Sequence, residues 1–255
     1  AETLVATTCF VLWPEAFTPI PISTEPWHSG PMLIEIFADL VCPWCYIGKN
    51  RLTKALADRP TLSPTIKWLP FQLNPDMPAA GMERQAYLTL KFGSPERALQ
   101  VTNMLEQTAE RDGMAIHLDR IKRTPNTIDA HRLVRFAARS ISEDMMVNHL
   151  MDRYFVEGDD ISDHEVLADA AGQCGLDPDA VKTLLKSSDE RAPVRNSDLR
   201  ARRLGIHAVP CFIIDQRYAI AGAHETETFG PLFDLSLLNP DLVSQGEELT
   251  PTLNV

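Results

Sequence analysis

The first clear run of apolar positions is LIEIFADL, residues 33–40, which is rich in β-branched and aromatic side chains. Such a short run predicts a buried strand over residues 33–38. A helix is predicted from Pro43, because proline is favoured in the first turn, and Pro60 forbids its continuation. TIKWLPF, residues 65–71, predicts a second short strand. This part of the chain is therefore predicted as strand, helix, strand.

From about residue 83 to residue 188 the apolar positions recur at helical spacing, and no strand pattern interrupts them. Ser94 followed by Pro95 predicts the start of one helix. Ser162 with Glu165 has the spacing of a capping box and predicts the start of another. Five helices are predicted in this block, over residues 94–112, 126–140, 143–158, 162–175 and 177–187.

The C-terminal part begins with a long helix, predicted over residues 190–204. Two strands follow, the first within HAVPCFIID, residues 207–215, and the second at YAIAG, residues 218–222. Gln216–Arg217 has the right length for a two-residue hairpin turn between them. The next segment predicts a helix that is broken near Gly230–Pro231.

The order of predicted elements is βαβ, a block of helices, and then αββα. This is the order of an α/β thioredoxin-like fold with an all-helical domain inserted in its middle. The strand before the first helix ends where ligand chemistry occurs in open α/β sheets. The predicted division is an N-terminal extension at 1–31, a thioredoxin-like domain at 32–78 and 189–240, a helical insertion at 79–188, and a C-terminal tail at 241–255.

Charge and composition limit the classes of partner. The net charge of −11 gives no overall positive field for nucleic acid. No run of about 18 apolar residues exists, so no membrane-spanning helix is expected. Residues 1–31 contain no Lys or Arg, which makes a poor secretory signal. One local group of arginines is interpreted as a solvated helix face: Arg195, Arg200, Arg202 and Arg203.

The segment DLVCPWCYIG, residues 39–48, places two cysteines at the predicted junction of strand and helix. The N–H groups and partial positive charge of a helix N-terminus favour a thiolate, so Cys42 is expected to be the exposed nucleophile. Cys45 lies one turn into the helix, close enough to form a disulfide with Cys42. Pro43 and Trp44 add no cation, which predicts a less oxidising pair than a CxxC that contains histidine.

The same pair of cysteines does not predict a metal site. A structural zinc site needs four ligands, and the chain has no second C-x₂-C and no H-x₃₋₅-H pair. Five cysteines are also too few for a disulfide framework in a chain of this length. Cys174 is interpreted as structural and Cys9 as a free thiol without function. No metal is therefore expected.

Val209–Pro210 stands at the start of the first C-terminal strand. The order of elements places this step opposite CPWC, and in thioredoxin-like folds the corresponding peptide bond is cis. The N–H and C=O of Val209 would then pair with an extended thiol substrate, as in strand addition. Cys211 follows directly, either as a third redox thiol near Cys42 or as a buried apolar residue, and the second interpretation is favoured.

Five segments, in this order, resemble the FrnE-like branch of the DsbA family of thioredoxin-fold oxidoreductases: FADLVCPWCYIGK, PFQLNPDMP, NTIDAHRLVRFA, GIHAVPCFIID and YAIAGAHETETF. They span about residues 33–235. The resemblance implies a DsbA-like fold with substrate bound in the cleft between the two domains. The same superfamily contains 2-hydroxychromene-2-carboxylate isomerase and kappa-class glutathione transferases, which typically carry serine where Cys42 stands and no cysteine where Cys45 stands. Because both cysteines are present here, redox chemistry is favoured.

The resemblance also implies roles outside the CPWC segment. Asn126 and His131 are placed on the face of the insertion over the active site, and His131 is a base, a substrate contact or a satisfied histidine between domains. The buried acid that DsbA proteins carry six residues before the first cysteine is Ile36 here, so water or Asp39 must handle the proton of Cys45. The residues expected to contact substrate are Pro43, Trp44, Val209, Pro210, Asp39, Asn126 and His131.

A glutathione site is the remaining implication of the resemblance. The glutathione-using relatives bind the γ-glutamyl end of the tripeptide near the position of Gly222 and Ala223, beside Val209. His224 follows at a position where FrnE-like sequences often have glutamine. Glutathione is therefore expected at most as a co-substrate, with no tightly bound cofactor.

Three functions stay open at this point. The first is thiol–disulfide exchange with a protein or small-molecule partner, in which Cys42 attacks and Cys45 resolves the mixed disulfide. The second is a glutathione-dependent isomerase or transferase of a small aromatic or polyketide-like substrate. The third is a non-catalytic binding or chaperone-like module that uses the inter-domain cleft. A cytoplasmic location and a monomer or homodimer are expected, with no nucleic-acid or membrane partner.

Overall fold

The computed structural model describes residues 31–237. Almost all of the predicted N-terminal extension, with Cys9, and the predicted tail at 241–255 lie outside the described residues. Within the described part, no helix combines the length and the apolar character that crossing a membrane requires.

The described residues contain six strands in two sheets. They are β1 (Leu33–Ala38), β2 (Thr65–Pro70), β3 (Met82–Glu83), β4 (Arg123–Thr124), β5 (Cys211–Ile214) and β6 (Tyr218–Ala221). The main sheet has the order β2-β1-β5-β6, so β1 lies in its interior. β1 runs parallel to β2 and antiparallel to β5, and β5 and β6 form a hairpin. The four predicted strands are thus confirmed, and they form the sheet of a thioredoxin-like fold.

Nine α-helices occur within residues 31–237. They are α1 (Pro43–Ala57), α2 (Arg84–Phe92), α3 (Pro95–Arg111), α4 (Ile128–Ala137), α5 (Glu143–Asp152), α6 (His164–Gln173), α7 (Pro178–Lys186), α8 (Arg191–Arg203) and α9 (Phe229–Leu237). α2 to α7 lie between β2 and α8 in the sequence and form the helical insertion of a DsbA-like fold, and α8 precedes β5. The exact division of the chain at residues 78 and 188 stays a prediction.

One continuous apolar cluster joins the sheet to the inserted helices. It contains Phe37 of β1 and Trp68 of β2 together with Leu133 of α4 and Met151 of α5. The inserted helices therefore pack on the sheet through a shared core, and this packing forms the wall beside the end of β1.

The helical block differs from the prediction in three places. α2 is not among the five predicted helices, and its N-cap is Glu83, whose carboxylate accepts the N–H groups of Gln85 and Ala86. β3 and β4 form a two-stranded antiparallel sheet inside the block, and strands of two residues are too short to produce an alternating pattern. The helix predicted over residues 143–158 ends as an α-helix at Asp152 and continues as a π-helical turn, Arg153–Glu157, that ends at Gly158 with φ 84°.

The predicted capping box is wrong by one residue. The carboxylate of Asp163 accepts the N–H of Glu165 at 2.8 Å, so Asp163 is the N-cap of α6. The hydroxyl of Ser162 instead donates to Asp160 at 2.6 Å. Both residue types are good N-caps, and the neighbouring acid at Asp160 decides which one is used.

The hairpin and the last helix also differ from the prediction. The turn between β5 and β6 contains three residues, because Ile214 pairs with Tyr218, and Asp215 and Gln216 have φ of 48° and 56°. α9 continues through Gly230–Pro231 without a break. Pro231 lies in the first turn of α9, where its missing N–H would have no helical partner.

Candidate active site

The two cysteines lie where β1 ends and α1 begins. Cys42 is the N-cap residue of α1, and its N–H donates to the carbonyl oxygen of Asp39 at 3.0 Å. The N–H of Cys45 donates to the carbonyl oxygen of Cys42 at 3.0 Å. Both are free thiols, and they are 3% and 1% exposed, so the prediction that Cys42 is exposed is wrong. The tight turn therefore holds both sulfurs at the N-terminus of α1, where partial positive charge favours an anion.

The surroundings separate the acidities of the two thiols. A hydrogen bond with the Cys45 side chain lowers the pKa of Cys42, and the Cys45 N–H and the charge of Lys91 act in the same direction. Burial and the charge of Asp39 oppose this effect on Cys42. Burial raises the pKa of Cys45 well above its ordinary value, and hydrogen bonding with Cys42 raises it further. Cys42 is therefore the thiol of the pair that ionises first, and Cys45 is the one that holds its proton longer as pH rises.

The loop before β5 faces Cys42. The Val209–Pro210 peptide bond is cis, and the thiol of Cys42 donates to the carbonyl oxygen of Val209 at 3.7 Å. The N–H of Val209 has no hydrogen-bond partner among residues 31–237. A Cβ on Gly48 of α1 would lie 2.9 Å from Cγ of Pro210. Glycine at position 48 thus allows α1 and the Val209–Pro210 loop to approach each other closely.

Cys211 lies directly after this loop as the first residue of β5. It is 4% exposed and opposite Phe37 of β1, and burial raises its pKa to about 12. A thiol in this state is a poor nucleophile, which agrees with the interpretation of Cys211 as a buried apolar residue.

Asp39 and His131 are buried side chains that face each other. Asp39 is 1% exposed, and its Oδ2 accepts the N–H of Leu73 at 2.7 Å. Its Oδ1 has no hydrogen-bond partner within the described residues and lies 3.5 Å from Nε2 of His131. Nε2 of His131 also lies 3.2 Å from the carbonyl oxygen of Phe71. Both side chains are buried and bonded within the protein, and the expected contacts of Asp39 and His131 with substrate stay predictions.

The other residues expected to contact substrate divide into two groups. Pro43 and Trp44 are half-buried in the first turn of α1, beside the sulfurs. Asn126 uses its amide inside the protein, donating to the carbonyl oxygen of Met77 at 2.6 Å and accepting the N–H of Ile128 at 3.0 Å. Asn126 thus fixes the start of α4 and the loop after β2, and a direct contact with substrate does not follow from its geometry.

The loop after β6, Gly222–His224, lies beside the loop before β5. The N–H of Gly222 donates to the carbonyl oxygen of Pro210 at 2.7 Å, and Gly222 has φ 101°. Nε2 of His224 lies 2.9 Å from the carbonyl oxygen of Ala221. Nη1 of Arg51 donates to the carbonyl oxygen of Ala223 at 2.7 Å. The fold brings the expected glutathione residues next to Val209–Pro210, and α1 supports them through Arg51.

Two residues of the site area have no signal in the local sequence. Arg51 is on the inner face of α1 and contacts Asp112 and Glu225, which are distant in sequence. Lys91 is on α2 of the insertion, and its charge acts on Cys42. An amphipathic helix pattern shows which face is buried but not which distant group a cation faces, so only the tertiary structure reveals these contacts.

The described residues contain no group of three His, Cys, Asp or Glu side chains arranged to hold a metal ion.

Comparisons with known proteins agree with this geometry. Residues 33–232 match a protein-family model described as the DSBA-like thioredoxin domain. The chain is 25% identical over 197 residues to the uncharacterized protein YwbO of Bacillus subtilis, covering 77% of this chain and 92% of YwbO.

Two solved structures have a similar fold. A probable DsbA oxidoreductase, SCO1869 from Streptomyces coelicolor, is 28% identical with a TM-score of 0.74, covering 88% of this chain and 94% of SCO1869. The cytosolic disulfide reductase DsbM from Pseudomonas aeruginosa, solved with GSH, is 18% identical with a TM-score of 0.53, covering 84% of this chain and 98% of DsbM. The second likeness concerns the fold alone.

Proposed function

Because the chain belongs to the family of DSBA-like thioredoxin domains, we propose that it is a thiol–disulfide oxidoreductase whose nucleophile is Cys42 and whose resolving thiol is Cys45. The observation that carries the proposal is the placement of two free thiols at the N-terminus of α1, where Cys42 faces the cis Val209–Pro210 loop. The lowered pKa of Cys42 and the raised pKa of Cys45 support the division of roles between them. A pair that exchanges disulfides needs one thiolate to attack and one thiol that attacks later.

In the reductive direction the Cys42 thiolate attacks one sulfur of a substrate disulfide. The substrate S–S bond breaks, its other sulfur leaves as a thiolate with the bonding electron pair, and a mixed disulfide forms on Cys42. The proton of Cys45 passes to the thiolate that has left, and the Cys45 sulfur attacks the sulfur of Cys42, whose bond to the substrate sulfur breaks. The second substrate thiolate leaves, so the substrate gains two electrons and Cys42–Cys45 becomes a disulfide. Oxidation of a dithiol substrate is the reverse sequence.

The backbone of Val209 supports substrate alignment in this proposal. Its carbonyl oxygen accepts from the Cys42 thiol, and this bond is lost when Cys42 becomes a thiolate. The carbonyl oxygen and the unpartnered N–H can then pair with the extended backbone or amide of a bound substrate. Pro43 and Trp44 form the surface over which that substrate approaches Cys42.

The test is a pair of cysteine variants assayed by insulin disulfide reduction and by oxidation of a dithiol peptide. Cys42→Ser should abolish both activities, because the thiolate is removed. Cys45→Ser should accumulate a mixed disulfide on Cys42, detected by mass spectrometry of non-reduced protein. Cys174→Ser, at a half-buried cysteine after α6, is the matched control and should keep full activity. Wild-type turnover in Cys42→Ser would refute the proposal.

Glutathione is proposed as a co-substrate, because Gly222 and Ala223 lie beside the Val209–Pro210 loop, where the tripeptide would extend from a mixed disulfide on Cys42. The solved DsbM structure with GSH, although similar in fold alone, motivates the same choice of thiol. Oxidised glutathione should glutathionylate Cys42 in the Cys45→Ser variant. The alternative, a glutathione-dependent isomerase or transferase, predicts glutathione-dependent turnover of a small aromatic substrate that survives Cys45→Ser without disulfide exchange.

A further inference from the structure

A groove that none of the roles above uses lies between α2 and the loop after β2. Its volume is about 490 Å³, which is within the range of sites for small molecules. Leu73 and Met77 from the loop and Tyr87 from α2 give it apolar walls. Leu90 lies on its rim with 74% of its surface exposed, and an exposed leucine beside a groove is a surface that a ligand can cover.

Hydrogen bonds hold the polar part of this groove in place. Nζ of Lys91 donates to Oη of Tyr87 at 2.9 Å, and Nδ2 of Asn74 donates to the same oxygen at 3.1 Å. The ammonium group of Lys91 lies 5.4 Å from the ring centroid of Tyr87, beyond the hydroxyl group. Lys91 is thus held at the hydroxyl end of Tyr87 with donor capacity to spare, because an ammonium has three N–H groups.

The groove is connected to the nucleophile through the loop. The N–H of Leu73, a wall residue, donates to Oδ2 of Asp39 at 2.7 Å. The carbonyl oxygen of the same Asp39 accepts the N–H of Cys42 at 3.0 Å. Lys91 is joined to the same part of the loop, because the hydroxyl of Tyr87 accepts from both Lys91 and Asn74, the residue that follows Leu73. Asp76, the carboxylate that also lines the groove, lies two residues further along the loop. The ammonium group is therefore on the side of the groove where the loop contacts the turn of the nucleophile, and its charge lowers the pKa of Cys42.

We propose that this groove selects low-molecular-weight disulfides that combine an aromatic or branched apolar body with an anionic group such as a carboxylate. The apolar body would pack against Tyr87 and Leu90, and Lys91 would hold the anionic group while Cys42 attacks the substrate sulfur. The inference rests on the proposed function, since it names the substrate class for the same exchange at Cys42. The electron and proton balance is that given for the reductive direction.

The test uses three small disulfides that differ in charge. 5,5′-Dithiobis(2-nitrobenzoic acid) is aromatic and anionic, 4,4′-dithiodipyridine is aromatic and neutral, and cystamine is aliphatic and cationic. Rates of exchange at Cys42 are measured by stopped flow, at pH values chosen to give each variant the same thiolate fraction. Each rate is expressed as the ratio of variant to wild type, which cancels the intrinsic reactivity of the disulfide.

Lys91→Glu should slow the anionic disulfide about tenfold, leave the neutral one within about threefold, and speed up cystamine, because one charge is reversed beside a partly solvated site. Leu90→Ser should slow both aromatic disulfides and not cystamine. Lys186→Glu, at an exposed lysine of α7, is the charge-matched control and should change none of the three ratios.

Two results would overturn the inference and leave the proposed function intact. In the first, Lys91→Glu changes the rates with all three disulfides by the same factor. In the second, Lys186→Glu changes the three rates in the same way as Lys91→Glu. Faster reaction of wild type with an uncharged peptide disulfide than with all three small disulfides would also overturn it, in favour of a protein substrate. Failure of wild type to react with any disulfide through Cys42 would instead refute the proposed function.

Discussion

The charge of the Asp39 carboxylate opposes the ionisation of both cysteines. Asp39 is a buried residue, because it is 1% exposed and its carboxylate accepts the N–H of Leu73. At the scale of single residues, the site thus combines a helix N-terminus and Lys91, which favour the Cys42 thiolate, with a buried carboxylate that limits it. The reactivity of Cys42 is the balance of these charges.

Removing the charge of Asp39 should therefore make Cys42 more acidic. Asp39→Asn keeps an oxygen that can accept the Leu73 N–H, and we expect the thiolate absorbance near 240 nm to titrate at lower pH than in wild type. Asp198→Asn is the control, since Asp198 is also buried and also accepts a loop N–H, that of Gln72 at 3.0 Å, but does not act on Cys42. A Cys42 pKa in Asp39→Asn that is equal to or higher than the wild-type value would contradict this role of Asp39.

The two thiols also make the stability of the reduced protein depend on pH. In the pH range between the lowered pKa of folded Cys42 and the ordinary thiol pKa of about 8.5, the unfolded chain binds more protons than the folded protein. The free energy of unfolding should therefore rise with pH in this range. Above the ordinary thiol pKa the raised pKa of Cys45 reverses the sign, since the folded state then binds more protons. The protein with a Cys42–Cys45 disulfide lacks both titrations and is the control in urea unfolding at several pH values.

At the scale of elements, the contact between α1 and the Val209–Pro210 loop sets the position of the nucleophile. Gly48 is the residue of α1 that touches this loop, and a side chain there would meet both Pro210 and Phe212. The loop in turn supplies the carbonyl oxygen that faces Cys42. Packing of one helix on one loop therefore fixes the distance between the thiol and the backbone that is proposed to bind substrate.

Gly48→Ala should destabilise the protein by about 1–3 kcal/mol, because its Cβ would lie 2.9 Å from Pro210 and the loop would have to move. It should also slow exchange at Cys42 in the fraction that is folded. Gly230→Ala is the control, because the atom that its Cβ meets is the end of the flexible Arg59 side chain. Equal unfolding midpoints for Gly48→Ala and wild type would show that this contact is not limiting.

Parts of the elements were readable from the sequence because their signals are local. The strand at 33–38, the Pro43 start of α1 and the Ser94 cap of α3 depend on neighbouring residues only, and the structure confirms them. The choice of Asp163 over Ser162 depends on Asp160, and the three-residue hairpin turn depends on strand register. The N-cap residue and the turn length depend on competing contacts, and the pattern of apolar positions contains no information about these contacts.

At the scale of the whole molecule, Arg51 joins three separate parts of the chain. Its guanidinium pairs with Asp112, after α3, at 2.5 Å and with Glu225 at 2.9 Å, and it donates to the carbonyl oxygen of Ala223. The side chains of Arg51 and Asp112 are only 4% and 10% exposed. One residue of α1 thus connects the helical insertion to the loop beside the active site.

Arg51→Met should lower the free energy of unfolding by about 3 kcal/mol, because it leaves the carboxylate of Asp112 buried without its partner. It should also weaken glutathionylation of Cys42, since the Gly222–His224 loop loses its support. The exposed pair Arg59–Asp234 offers the control, and Arg59→Met should shift the urea midpoint little. A loss of stability in Arg59→Met as large as in Arg51→Met would indicate a general effect of removing arginine.

The resemblance predicted the family and the two cysteines, while the whole-molecule contacts of Arg51 and Lys91 were not predicted. CPWC and Val209–Pro210 are short motifs, so they can be recognised in the sequence without knowledge of the tertiary structure. The partners of Arg51 are more than one element away along the chain, and a single sequence carries no record of which distant residues meet.

The pairing of β1 with β5 has a consequence for synthesis on the ribosome. Ile36 pairs with Phe212, so the central sheet joins an early segment of the chain to a late one, with the whole helical insertion between them. The growing chain therefore presents Cys42 and Cys45 well before Val209 leaves the exit tunnel. During that interval both thiols lack the Val209–Pro210 loop, and the nascent chain is most susceptible to disulfide formation with other thiols. Translation speed across the insertion thus sets how long that exposure lasts.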